Sequence, residues 1–289
     1  MTWKDTLWAT VVILAWGFNF VVVKIGMAEL PPLLLTTLRL ALVAVMVVPF
    51  THRPRGKLGL IALLALLLGA GHFGLLFIAM RTMDAASASI AIQLTVPFSA
   101  LLAALLYGEK LGLRGILGMA MAYAGVALLA GEPHHPDLFS MLLIVLSAAC
   151  WALANVVIKR IGPIHPLTLT GWMALAGFPQ LLILSFLFED HQMQWIRNAG
   201  WMGWGAVAYT AVIASMLAYS LWCWLIAKYP VNKVVPFTLL NPVIGIASGV
   251  LVLGEPLGWH KLVGGGLTVL GVAVIQIRLL RLFVRMRRI

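Results

Sequence analysis

The stretch YGEKLGLRGILGMAMAYAGVALL, Tyr107–Leu129, returns in altered form as VLGEPLGWHKLVGGGLTVLGVAVI, Val252–Ile275. In both, Gly-Glu is followed two residues on by Leu, and later by a glycine, six residues and Gly-Val-Ala (Gly118 to Gly125, Gly264 to Gly271). Around them, Pro97 lies twelve residues before Glu109 and Pro242 thirteen before Glu255. Nearer the start, WGFNFVVVK (Trp16–Lys24) answers WALANVVIK (Trp151–Lys159), and a proline follows seven residues after each lysine, at Pro31 and Pro166. The chain states one unit twice.

Composition decides the solvent of that unit. Of 289 residues 62% are hydrophobic and 10% charged, with mean hydropathy +1.03. A water-soluble chain carries roughly a quarter charged residues, so lipid is the solvent here. The net charge of +11 does not point to nucleic acid, because the basic residues sit beside apolar runs. Arg278, Arg281, Arg285, Arg287 and Arg288 follow the last run, and Arg53, Arg55 and Lys57 occupy a short loop, as topology signals do. Cys150 and Cys223 fall inside apolar segments and read as small hydrophobes. The N-terminal run is too long for a signal peptide and has an internal counterpart.

Crossing a bilayer takes about 20 apolar residues. The spans read as Leu7–Met27, Leu33–Phe50, Leu58–Met80, Ala85–Tyr107, Leu113–Ala130, Leu138–Ile158, Leu167–Phe188, Trp201–Ala227, Val234–Leu253 and Leu262–Ile277. The fold class is therefore all-α integral membrane, ten helices on short loops. With the N-terminus cytoplasmic, fifteen Lys and Arg lie inside against four outside (Lys24, Arg81, Arg197, Lys261), Arg39 being within a span. Both termini are then cytoplasmic. The units divide as residues 1–131 and 132–289, the second carrying the basic tail. Five spans is an odd number, so the second unit enters inverted, the arrangement that encloses a substrate cavity at the midplane. Glu109 and Glu255 sit in the turn between the last two helices of each unit and read as caps of the helix that follows.

The motifs WGFNFVVVKIG, PPLLLTTLR, the doubled Gly-Glu-(Lys/Pro)-Leu and the doubled Gly-x6-Gly-Val-Ala resemble the ten-helix EamA branch of the drug/metabolite transporter superfamily, over the whole chain. The resemblance implies a bacterial inner-membrane exporter of amino acids and related metabolites working by alternating access. Other members carry sugars, nucleotide sugars or drugs. A carrier of another metabolite or a drug, proton-coupled, is therefore the alternative reading.

Polar side chains at membrane depth are costly and face a bundle interior. Those far from the span ends are Asn19, His72, Gln93, Asn155, Thr238 and Asn241, with Tyr219 on the eighth span. Trp16, Trp151, Trp222 and Phe237 lie deep enough to stack on a bulky substrate; Trp3, Trp195, Trp201 and Trp259 read as interfacial belt. These eleven deep polar and aromatic residues are the substrate-binding candidates, each also able simply to pack or to bond a neighbouring helix. Pro97 and Pro242 free the carbonyls of Gln93 and Thr238 and are hinge candidates. Arg39 reads as snorkelling or bonding helix carbonyls, with attraction of a substrate carboxylate as the alternative.

No Asp or Glu occupies the middle of a span, which disfavours a carboxylate sodium or proton site and favours neutral or zwitterionic substrates moving down their gradient. An intramembrane protease is disfavoured too, since Asp84 stands alone at a span edge and no Gly-x-Ser-Gly stretch exists. No enzyme activity, cofactor or metal is expected. The expected partners are small-molecule substrates and the bilayer, not nucleic acid, and the expected state is a monomer.

Overall fold

Chain starts and stops follow local chemistry. In the computed structural model, which describes residues 1–107, 112–129, 138–229 and 234–286, α1 (Trp3–Gly26) opens where the Thr2 hydroxyl accepts the Asp5 N–H at 3.3 Å. Prolines begin α2 (Pro32–Val47) and α7 (Pro166–Phe188), where a missing N–H costs nothing. Helix α3 covers Leu58–Ala79, and α4 covers 85–107 with the Asp84 carboxylate accepting the Ser87 N–H at 2.6 Å. Then come α5 (Leu113–Leu129), α6 (Leu138–Ile161), α8 (201–228), α9 (235–253) and α10 (Trp259–Met286). A short helix, Gln192–Asn198, lies between α7 and α8. The described residues contain no strand.

Seven of these helices are long and apolar enough to cross a membrane. Three shorter ones, Leu113–Leu129, Phe237–Leu253 and Trp259–Ile275, occupy the remaining expected positions. The protein is an all-α multi-pass membrane protein. Its helices depart from regular α geometry at matched places. The middle of α3, Leu66–Gly74, and the middle of α8, Tyr209–Ala218, are wound as π-helix. Helix α4 tightens to 3-10 at Ile92–Leu94 and α9 begins as 3-10 over Val235–Leu240. The 3-10 turns include Gln93 and Thr238, the residues whose carbonyls Pro97 and Pro242 leave without an α-helical donor.

Packing pairs each helix with partners from the other half. Helix α8 lies on α1 and α2, while α3 lies on α6 and α7; α9 lies on α1 and α4 lies on α6. Exchanging the two halves exchanges these pairs. The remaining close pairs, α2 with α7, α4 with α9 and α5 with α10, map onto themselves. Each of those three runs antiparallel. Leu33, at the start of α2, meets Glu189, just past the end of α7, while Val47 at its end meets Gly171 near the start of α7. Ser89 faces Gly245 and Gln93 faces Thr238. Gly118 faces Gly271 and Gly125 faces Gly264. Equivalent helices that run oppositely are the signature of an inverted repeat.

The doubled glycines explain how α5 and α10 approach so closely. A Cβ at Gly264 would stand 2.6 Å from the Gly125 carbonyl oxygen, and one at Gly118 would stand 2.7 Å from that of Gly271. Backbone meets backbone there, as small-residue crossings allow. We expect Gly264→Val to separate the pair and cost about 1–3 kcal/mol. Thermal unfolding of the purified variant in detergent measures this, and Gly266→Val, at a position where an added Cβ meets nothing within 4 Å, serves as the control.

Candidate functional site

One face of the bundle is stitched by carboxylates that cross between the halves. Glu189, after α7, accepts the N–H groups of Leu33 and Leu34 at 2.7 and 2.9 Å, at the start of α2. Glu255, after α9, accepts those of Ala85 and Ala86 at 2.7 and 3.0 Å, at the start of α4. Glu29, after α1, accepts those of Gly200 and Gly203 at 2.9 and 2.6 Å, at the start of α8. Each carboxylate satisfies two donors that a helix N-terminus leaves open, and meets its positive dipole end. The expectation that Glu255 caps its own following helix is thus corrected: α10 is sequence-adjacent, but the amides within reach belong to α4. Glu109 lies outside the described residues. On the same face the Lys24 ammonium donates to the carbonyls of Met80 and Met83 at 2.5 and 2.7 Å, where α3 runs out of partners, and Lys261 pairs with Asp84 at 2.8 Å.

Deeper in, the π-wound segments of α3 and α8 each receive a tryptophan from the opposite half. Trp16 donates its indole N–H to the Ala214 carbonyl at 3.1 Å and packs on Trp222 and Tyr219, with ring centroids 5.4 and 6.5 Å away. Phe237 joins that cluster. Trp151, its repeat counterpart, lies 4.5 Å from the His72 ring and 6.4 Å from Phe73. His72 is tied down further: its Nδ1 is 2.9 Å from the Ser147 hydroxyl, which reaches the His72 carbonyl at 3.0 Å. The assignment giving each proton one acceptor has Nδ1–H donating to Ser147 and the hydroxyl donating to the carbonyl. In the π-wound part of α8 the Thr210 carbonyl likewise accepts a hydroxyl, that of Ser215 at 2.8 Å.

Between α4 and α9, the buried Gln93 side chain donates to the Thr238 carbonyl at 3.3 Å. The carbonyl that Pro242 deprives of its α-helical donor thus accepts both the Asn241 N–H and the Gln93 side chain from the other half. Nearby, α1 crosses α9 so closely that a Cβ at Gly17 would meet Ile244 at 2.6 Å and the Asn241 carbonyl at 3.4 Å. Asn19 on α1 and Asn241 on α9 are both partly buried, and the side-chain oxygen of each has no protein donor. Asn155 is exposed on α6.

Arg39 does not snorkel. It is the eighth residue of α2, 3% exposed, with Nε donating to Ser215 at 3.0 Å and its guanidinium 4.1 Å from the Phe73 ring centre. Its contacts hold it inside the bundle, against α3 and α8. The structure thus gathers Arg39, His72, Phe73 and Trp151 around α3, and Trp16, Tyr219, Trp222 and Phe237 around α8. Gln93, Thr238 and Asn241 form a third group at the α4–α9 crossing. Sequence reasoning missed Ser147, the hydroxyl that anchors His72, because a lone serine in an apolar run carries no pattern; Ser215 shares a face of the eighth span with Tyr219 and Trp222, but its bond to Arg39 was not foreseen. It also missed the three cross-half carboxylates, although Glu29, Glu189 and Glu255 fall on one predicted face.

The chain matches the EamA-like transporter family twice, at residues 3–131 and 138–277. It is 34% identical over 284 residues to a Salmonella typhimurium protein named "Probable amino-acid metabolite efflux pump", covering 95% of each chain. An Escherichia coli protein of the same name is 31% identical over 287 residues, again with 95% of each covered. A solved crystal structure superposes with a TM-score of 0.68 across 96% of this chain and 98% of its own, at 21% identity, a likeness of fold.

Removing the Gln93 amide leaves the Thr238 carbonyl with the Asn241 N–H alone and takes away a buried cross-half hydrogen bond. We expect Gln93→Ala to lower stability by about 0.5–1.5 kcal/mol, and Gln93→Asn to recover none of it because its shorter arm falls short of Thr238. Melting temperatures of the three proteins in one detergent decide the matter.

Proposed function

The chain belongs to the EamA-like transporter family, and we propose that it exports amino acids, aromatic ones included, and related small metabolites across a bacterial inner membrane. The observation that carries this reading is the likeness, over 95% of both chains, to relatives named as amino-acid metabolite efflux pumps. The geometry agrees with it. Two aromatic groups, built on Trp16 and Trp151, lie at corresponding places of the two repeats and offer flat apolar surface beside hydrogen-bonding side chains. The free side-chain oxygens of Asn19 and Asn241 are acceptors suited to an ammonium group.

Transport proceeds by alternating access, in which the two units, residues 1–131 and 132–289, rock against each other about the midplane. Pro97 and Pro242 serve as hinges: each lies beside a 3-10 turn whose hydrogen bonds are already irregular, so a change of helix direction there breaks few of them. Trp16, Asn19, His72, Gln93, Trp151, Asn155, Tyr219, Trp222, Phe237, Thr238 and Asn241 line or support the path. His72 and Gln93 act by holding backbone groups and neighbours in place. With no carboxylate in mid-span to carry a proton or cation, substrate moves down its own gradient. Both termini lie in the cytoplasm, which puts Glu29, Glu189 and Glu255 on the far side.

Proteoliposomes loaded with radiolabelled tryptophan, threonine or cysteine test this. We expect efflux of each, changed less than twofold by an imposed pH gradient; gradient-driven uptake would favour the proton-coupled alternative, and no flux of any of the three would remove the amino-acid reading. Asn155→Ala should lower flux while membrane insertion, followed by blotting, stays unchanged.

A further inference from the structure

A cation at the middle of a membrane span needs a reason to be there. Arg39 stands halfway along α2, 3% exposed, and neither ion pair among the described residues, Lys228–Asp5 or Lys261–Asp84, involves it. Its neighbours are neutral: the Ser215 hydroxyl takes Nε at 3.0 Å, and the Phe73 ring faces the guanidinium at 4.1 Å. Nη1 is buried and has no acceptor. A buried charge left short of both counter-ion and hydrogen bonds is costly, and a neutral side chain such as glutamine could bond Ser215 without that cost.

The same features make a receptor for an anion. A guanidinium presents donors in a planar fork that fits a carboxylate, Ser215 fixes its orientation from one side, and an aromatic face holds it flat while leaving its edge for the ligand. Phe73 links this charge to the aromatic group at Trp151, 6.4 Å from it, so an incoming carboxylate would have an apolar surface beside it for the rest of the molecule. The sequence provides no carboxylate on any span interior to compete for the site.

Resting on the amino-acid reading above, we propose that Arg39 binds the carboxylate of the transported molecule, so that a free carboxylate rather than an amino group is what the carrier requires. Esters, amides and amines of the same side chain are then excluded, because none of them returns a negative charge to the guanidinium.

The test is competition in proteoliposomes of the full chain, with efflux of radiolabelled tryptophan measured against excess tryptophanamide, tryptamine or indole-3-propionate. We expect indole-3-propionate to inhibit the wild type and the two compounds lacking a carboxylate to leave flux within twofold of control. Arg39→Gln should weaken tryptophan's half-saturation about thirtyfold or more and abolish the preference for a carboxylate, whereas Arg39→Lys should keep the preference at reduced affinity. Equal inhibition by tryptophanamide and indole-3-propionate in the wild type overturns the proposal, and so does an Arg39→Gln protein that still discriminates. Should Arg39→Gln fail to fold, judged by its melting temperature, the wild-type competition series decides alone. Absence of tryptophan, threonine and cysteine flux would instead overturn the amino-acid reading, and the carboxylate anchor with it.

Discussion

In hydrocarbon a peptide N–H or C=O without a partner costs several kcal/mol, and no water is at hand to supply one. Several departures from regular helix among the described residues sit where polar side chains meet backbone groups. In the 3-10 turn at the start of α9 the Thr238 carbonyl accepts the Asn241 N–H and the Gln93 amide. Within the π-wound parts of α3 and α8 the His72, Thr210 and Ala214 carbonyls accept side-chain donors from Ser147, Ser215 and Trp16. At helix starts the debt is one of donors, and Glu29, Glu189 and Glu255 settle it from the opposite half. Irregular backbone and polar side chains therefore come in matched sets, and the sets fall where the two repeats touch.

The repeat is symmetric in its backbone and asymmetric in its chemistry. Both halves place a tryptophan against a π-wound helix of the other, yet Trp16 donates a hydrogen bond where Trp151 packs on an imidazole. The charge at Arg39 has no counterpart in the matching stretch of α7, where PLTLTGWMALAG contains no basic residue. Duplicated geometry supplies the pivots; unpaired side chains supply a direction and a chemical preference.

Much of the architecture was legible because it rests on spacing. Doubled Gly-x6-Gly, Trp-x7-Lys and the two prolines are periodic features, and the antiparallel contacts Gly118–Gly271 and Gly125–Gly264 follow from an odd number of spans per unit. The interior was legible only in part. Sequence marks which residues are polar at depth, and Gln93 and Thr238 were identified as equivalents, but not that one would bond the other. Glu255 was assigned to the wrong helix because sequence neighbourhood favoured α10, while the end of α9 delivers it to α4. In the sequence Arg39 lies within a span and reads as snorkelling or bonding helix carbonyls, with a substrate carboxylate as the alternative; its contacts with Ser215 and Phe73 depend on packing that no local pattern encodes.

The π segments of α3 and α8 carry a consequence for how this chain can change length. A π turn is what an α-helix becomes when one residue is added without lengthening its span. Deleting a single residue within 66–74 or 209–218 would let the backbone relax to an ordinary α-helix, leaving the membrane crossing intact. Side chains on either side would keep their faces, because the lost residue is the one the wide turn had absorbed; the same deletion in a regular stretch would turn everything downstream by about 100°. The middle of α3 and of α8 can therefore lose one codon without disturbing the ends of either helix.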